Sequence, residues 1–278
     1  LNKAKITRAG KITNAAIILL GREESEHFLS PAVCVIRWKL LAKEDKNKDF
    51  HNFHVPMIKS VEEITTGYIR NNNYVYTVSG NIFPENMMRY DVFTLREPIC
   101  NAIGHQDYGM GARIELLEYE DEKLVIQNYG QFIPNSVEDV VEKDCPDSRY
   151  RNPFLMEAMC NIGMAETEGG GIRKLFVQQK KRFFPMPIYD LSGQKVRCEI
   201  QGKVLDENFA KILVNNPDLS LPEIIMLDKV QKREYSSLTD DAVALLRQKK
   251  FVEGKRNSLY LSFKIVESSK HIGLKASY

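Results

Sequence analysis

Apolar positions along this chain switch between two periods, and the switches divide it into elements. Residues 13–20 form a short apolar run ended by Gly21, which predicts a short helix with the glycine beyond its last turn. Residues 32–41 alternate in part between apolar and polar positions and predict a strand, and the charged run 43–49 predicts a solvated loop. Ile58, Val61, Ile64 and Ile69 predict a helix over 57–70, which Asn71 and its neighbours break. Residues 74–78 are rich in strand formers. Farther on, 113–119 and 123–128 predict two consecutive strands around a turn at 120–122. Residues 148–164 carry a helix with an apolar face (Phe154, Leu155, Ala158, Met159, Ile162), and 172–182 form an amphipathic basic helix. Residues 188–204 read as a hairpin turning at 190–193. The remainder reads as three helices (208–215, 221–232, 239–250) and two short strands (251–253, 258–262) around a turn at 254–257.

One stretch carries more than packing. Thr94, Leu95, Arg96 and Glu97 have the S/T-x-x-E form of a capping box, which predicts a helix start at Thr94 with Glu97 bonded back to the cap. Leu95, Ile99, Ala102 and Ile103 then face a core. Glu97, Asn101 and His105 recur every four residues, and each such step drifts about 40° around a helix, so they form one polar stripe. A carboxylate one turn before a carboxamide places a base for a water beside an oxygen ligand for a hard cation such as Mg²⁺. Downstream, Gly169, Gly170 and Gly171 stand directly before the basic helix. Glycines there let backbone N–H groups approach a phosphate at a helix N-terminus. Glu168 beside them is unfavourable for an anion.

The spacing Glu97-x-x-x-Asn101 resembles the N box of the GHKL (Bergerat-fold) ATPases. The longer run from Asn101 to Tyr108, NAIGHQDY, resembles a bacterial branch of Schlafen-like, AlbA-type transcriptional regulators that carry the label of RecG-related ATP-dependent helicases. The resemblance extends over nearly the whole chain, with the family's first, DNA-binding domain missing. It implies ATP and Mg²⁺ as cofactors, with Glu97 as general base and Asn101 as the metal ligand. Asn128 and Gly130 would line the adenine, Gly169, Gly170 and Gly171 would cradle phosphates, and His105 and Asp107 would match a His-x-Asp motif of the branch. Asn128 stands where the wider pattern has Asp; an amide still accepts a hydrogen bond but without the charge-assisted gain. Motor helicase activity is not expected, because the chain lacks a G-x-x-x-x-G-K-[ST] phosphate loop.

The implied fold is α+β: a GHKL-like α/β sandwich over 91–204, a small α/β region over 1–90 packing on it, and a winged helix with a tail over 205–278. Arg247, Lys249, Lys250, Lys255 and Arg256 are the candidate DNA contacts of that last module. Asp240 and Asp241 favour the start of its third helix and would repel a phosphate there.

Charge adds little to this picture. The net charge is +2, and residues 205–278 hold 12 Lys and Arg against 10 Asp and Glu, so the excess lies at the C-terminal end. Cys34, Cys100, Cys145, Cys160 and Cys198 are dispersed without C-x-x-C spacing, the pattern of free cytoplasmic thiols rather than a zinc site or a disulfide framework. His51 and His54 read as surface residues. No apolar run reaches the roughly 20 residues of a membrane span. The expected partners are DNA and a nucleotide, with a homodimer open. The competing class is a scaffold that keeps the shape of a nucleotide-binding domain without binding ATP.

Overall fold

The computed structural model describes residues 2–71, 73–76, 85–134, 136–142, 149–165 and 170–262. The elements in chain order are β1 (Thr7–Arg8), β2 (Lys11–Ile12), α1 (Asn14–Leu20), β3 (Ile36–Leu41), β4 (Asn47–Phe53), α2 (Met57–Glu63), β5 (Asn73–Tyr76), β6 (Glu85–Met88), α3 (Val92–His105), β7 (Ile114–Tyr119), β8 (Lys123–Tyr129), α4 (Val137–Glu142), α5 (Pro153–Asn161), α6 (Gly171–Lys181), β9 (Ile188–Asp190), β10 (Lys195–Gln201), α7 (Glu207–Asn215), α8 (Leu221–Gln231), α9 (Asp240–Gln248), β11 (Val252–Glu253) and β12 (Tyr260–Leu261). The architecture is mixed α/β. It divides into two compact units, one of residues 1–71, 90–175 and 187–202, the other of 72–89, 176–186 and 203–278. The first unit therefore joins most of the 1–90 block to the 91–204 block through one shared sheet.

That sheet runs β4-β3-β7-β8-β10-β9, with β3 and β7 parallel and every other neighbour antiparallel. Alternation decides its inner face. Trp38, Leu116, Ile126 and Cys198 stand in one row across four strands, and all four are buried. Two residues along β8 and β10, the same parity puts Asn128 and Val196 on that face as well. The opposite face carries the ion pairs Lys39–Glu115 at 3.1 Å and Lys123–Glu199 at 2.9 Å.

The helix α3 packs on the inner face. Leu95, Ile99, Ala102 and Ile103 are buried, as their period predicts. Fully burying the three larger side chains stabilises the unit by about 1.5–3 kcal/mol each. Its start differs from the expected Thr94. The cap is Asp91, whose carboxylate accepts from the Thr94 N–H at 2.8 Å and the Thr94 hydroxyl at 2.6 Å. Asp91 is the stronger cap, so the helix is capped three residues earlier and Glu97 is not part of a capping box. Gly104 lets α5 approach, since a Cβ there would collide with Met156 Sδ.

The other elements follow local rules. Gly21 ends α1, as read from sequence, and Thr13 caps its start by accepting from the Ala16 N–H. The charged run 43–49 is not all loop: β4 begins at Asn47 and takes the sheet edge, where Lys48 and Asp49 are exposed. Edge strands keep such charges to discourage further pairing, which is why the segment looked like a loop. His51 lies on this strand, with its ring 4.9 Å from Tyr68.

In the second unit, Ser220 and Glu223 form a reciprocal capping box on α8, and Thr239 caps α9. Asp228 is buried and accepts from the Met186 N–H at 3.0 Å and from Gln231 at 2.6 Å, with Lys232 paired to it. Among the described residues, no helix is long and apolar enough to cross a membrane. Cys145 and the 263–278 tail lie outside the described residues.

Glu118 ties the first unit together. Its carboxylate is buried and accepts from Trp38 Nε1 and from the Arg70 N–H, both at 2.8 Å. Glu118→Ala leaves two donors orphaned, and a loss of about 2–5 kcal/mol is expected in urea unfolding. Glu118→Gln keeps one acceptor and is expected to cost less.

Candidate functional site

A pocket opens on the inner face of the sheet in the first unit, with about 970 Å³ of atom-free space counting its mouth. Glu97, Asn101 and His105 line it from α3, Asn128 from β8, and Gly171 from the start of α6. Three chain-distant elements thus bring five of the sequence-derived site residues to one place. The stripe on α3 reaches the pocket because the apolar stripe of the same helix is turned into the core.

The fit between α3 and α6 is close. Glu97 is buried, and a Cβ on Gly171 would collide with its Oε1. Asn101 donates its Nδ2 to Glu97 Oε1 at 3.0 Å, which leaves the amide oxygen as an acceptor. The carboxylate is therefore seated at the N-terminal end of α6, where the helix dipole favours negative charge. Asn128 is buried and donates to the Tyr129 carbonyl at 3.2 Å.

His105 is held neutral. Burial, followed by the nearby Arg151 guanidinium, lowers its pKa from 6.5 to about 4. Burial likewise pushes the Cys198 thiol up to about 12 and the Tyr189 hydroxyl well above its usual value; both line the pocket. Neither is a nucleophile at neutral pH.

Asp107, Gly130 and Gly170 are not among the lining residues of the pocket. Asp107 pairs with Arg151 at 3.3 Å and turns the chain by accepting from the Gly109 N–H at 3.1 Å. Gly130, at φ +116°, is covered by the Arg151 guanidinium, which leaves no room for a side chain. Gly170 has open space around it, and Gly169 lies outside the described residues.

Sequence reasoning passed over Gln106, whereas Asn152 falls in the Arg151-Asn152-Pro153 run that leads into α5. Gln106 is fully buried, accepts from the Tyr129 N–H at 2.9 Å and donates to the Ala112 carbonyl at 2.6 Å. Asn152 donates to the carbonyls of Gly104 at 3.0 Å and Gln106 at 2.8 Å. Together they fasten the end of α3 to β8 and to the start of α5. A polar residue directly after an apolar helix end is the signal available for Gln106; Asn152 has none beyond its place before Pro153.

In the second unit the basic residues divide. Arg256 donates to the Tyr235 carbonyl at 2.7 Å, to the Leu238 carbonyl, and to Asp240 at 3.2 Å. Arg247 donates to the Gly254 carbonyl at 2.7 Å, and Lys249 pairs with Glu223. Lys250 and Lys255 are exposed, with no ion pair among the described residues. Gly254 and Asn257 are exposed as well, so the turn protrudes.

Residues 111–200 match the family described as "Putative ATP-dependent DNA helicase recG C-terminal". The match spans about a third of the chain and covers β7 through most of β10. Among solved structures, the DIP2311 protein from Corynebacterium diphtheriae superposes with a TM-score of 0.60 over 98% of this chain, at 13% identity. That likeness concerns the fold. The chain spans 59% of the length of that protein. No curated protein matches. Among the described residues, no group of three or more His, Cys, Asp or Glu side chains is arranged to hold a metal ion.

The low pKa of His105 has a direct test. An unfolded His titrates near 6.5, so the unfolded state binds the extra proton first as pH falls. The contribution of His105 to stability is full above about pH 6.5 and is lost as pH falls toward 4. An NMR titration of its ring protons is expected to show a midpoint near 4. A midpoint near 6.5 contradicts a buried, neutral ring.

Proposed function

We propose that this chain is a regulator that binds an adenine nucleotide in a GHKL-like domain and DNA through a winged helix formed by α7–α9 with β11 and β12. The observation that carries the reading is the convergence of Glu97, Asn101, Asn128 and Gly171 on one pocket. In this reading Asn128 accepts from the adenine amino group, and the α6 start receives phosphate. The amide oxygen of Asn101 suits Mg²⁺, a hard cation that takes few protein ligands and completes its shell with water and phosphate. When bound, Mg²⁺ would neutralise phosphate charge. Glu97, released from its seat at Gly171, would orient a water and take its proton. Without a carboxylate at position 128, the adenine bond is weaker by about tenfold than a charge-assisted one. Binding is therefore weak and hydrolysis slow. Helicase motor activity is not part of the proposal.

A scaffold without nucleotide binding is the second reading, and the seating of Glu97 against Gly171 is what favours it. Calorimetry with Mg-ATP separates the two. Saturable heat, weakened by Asn101→Ala and kept by Glu97→Gln while turnover disappears, is the expected result. No heat at millimolar ATP supports the scaffold.

For the DNA surface, Lys250 and Lys255 are the phosphate contacts the geometry favours. Replacing both with Ala is expected to lower DNA affinity and reduce its salt slope by about 2. Arg256→Ala is expected instead to lower the stability of the second unit by about 1–3 kcal/mol, because its partners are backbone carbonyls. Unchanged DNA affinity and slope in the double variant rule out this surface.

A further inference from the structure

We propose that Arg149 reads the phosphate end of the ligand and makes the pocket select nucleoside polyphosphates over nucleosides. This deepens the nucleotide reading above and rests on it.

The charge of the pocket wall is the starting point. Among the described residues, its ionisable side chains are Glu97, His105, Arg149, Tyr150, Tyr189 and Cys198. His105 is neutral at pH 7, and the Tyr189 hydroxyl and Cys198 thiol are protonated there. Among the described residues that line the pocket, the charged side chains are then Glu97 and Arg149. Without Arg149 the described part of the wall would present a polyanion with Glu97 alone, whereas an uncharged nucleoside would be indifferent to that charge.

The other arginines around the pocket are committed elsewhere. Arg151 donates to Asp107 at 3.3 Å and to the Gln131 carbonyl at 3.1 Å. Arg173 donates to the Val141 carbonyl at 2.7 Å and the Glu142 carbonyl at 3.3 Å. Arg149 makes no hydrogen bond or ion pair among the described residues, and it is exposed at the pocket wall.

Its backbone is nonetheless anchored. The next residue, Tyr150, lines the same pocket with its ring 5.4 Å from His105. Arg151 and Asn152 then fasten the segment to Asp107, Gly104 and Gln106. A guanidinium on a fixed stem with unspent donors is suited to bidentate phosphate recognition.

The test compares adenosine, AMP, ADP and ATP by calorimetry on the whole chain, for wild type, Arg149→Gln and Arg149→Lys. Wild-type affinity is expected to rise with phosphate number. Arg149→Gln should flatten that rise, weakening ATP about tenfold or more while adenosine changes less than about twofold. Arg149→Lys should restore part of it. Because the side chain is exposed and makes no internal bond, the variants should melt as wild type does. If the ratio of ATP to adenosine affinity is the same in wild type and Arg149→Gln, or if wild type binds adenosine and ATP equally, the inference is overturned while the nucleotide reading stands. If wild type binds none of the four, both are overturned.

Discussion

Glu97 and Gly171 meet so closely that no side chain fits between them. The candidate site depends on this contact. It sets how near the start of α6 comes to α3, and it holds the acidic group of the polar stripe at the end of a helix whose dipole welcomes it. Asn101, one turn on, is oriented by the same carboxylate. A residue other than glycine at 171 would push α6 outward and undo both. Under the nucleotide proposal, a phosphate would compete with the Glu97 carboxylate for the same electrostatic seat.

The far end of α3 is governed by hydrogen bonding rather than charge. Gln106 and Asn152 take up backbone groups where helix, strand and loop converge. Buried backbone groups left unpaired each cost about 1–3 kcal/mol, so this network holds the pocket wall in place. Next to it, burial keeps His105 uncharged. The wall is therefore mostly apolar, and its few polar groups have separate jobs. Among the described lining residues, Arg149 is the positively charged side chain on that wall at neutral pH.

The second unit shows how a basic cluster divides between architecture and surface. Arg256 and Arg247 spend their donors on carbonyls around the protruding turn, and Lys249 is paired with Glu223. Only the lysines at 250 and 255 keep their charge for solvent or a partner, among the five candidates. Arginine suits the first task because its planar fork satisfies several acceptors at once; lysine suits the second as a mobile point charge.

Local pattern made much of this legible from sequence. The helical stripe of α3, the paired strands β7 and β8, the glycine end of α1 and the run of three helices with a hairpin all follow from spacing and caps within a few residues. The same spacing put Glu97, Asn101 and His105 on one side of one helix. The start of α3 was misread because Asp91 and Thr94 are both good caps and only the folded chain shows which one the backbone uses. The strand β4 was missed because an edge strand carries the charges of a loop. Nothing in the spacing pairs Glu97 with Gly171, sends Arg151 to Asp107 while leaving Arg149 unspent, or ties Arg256 to backbone carbonyls. Those outcomes belong to tertiary structure: local periodicity decides which face a side chain occupies, but the partner it finds there comes from a distant part of the chain.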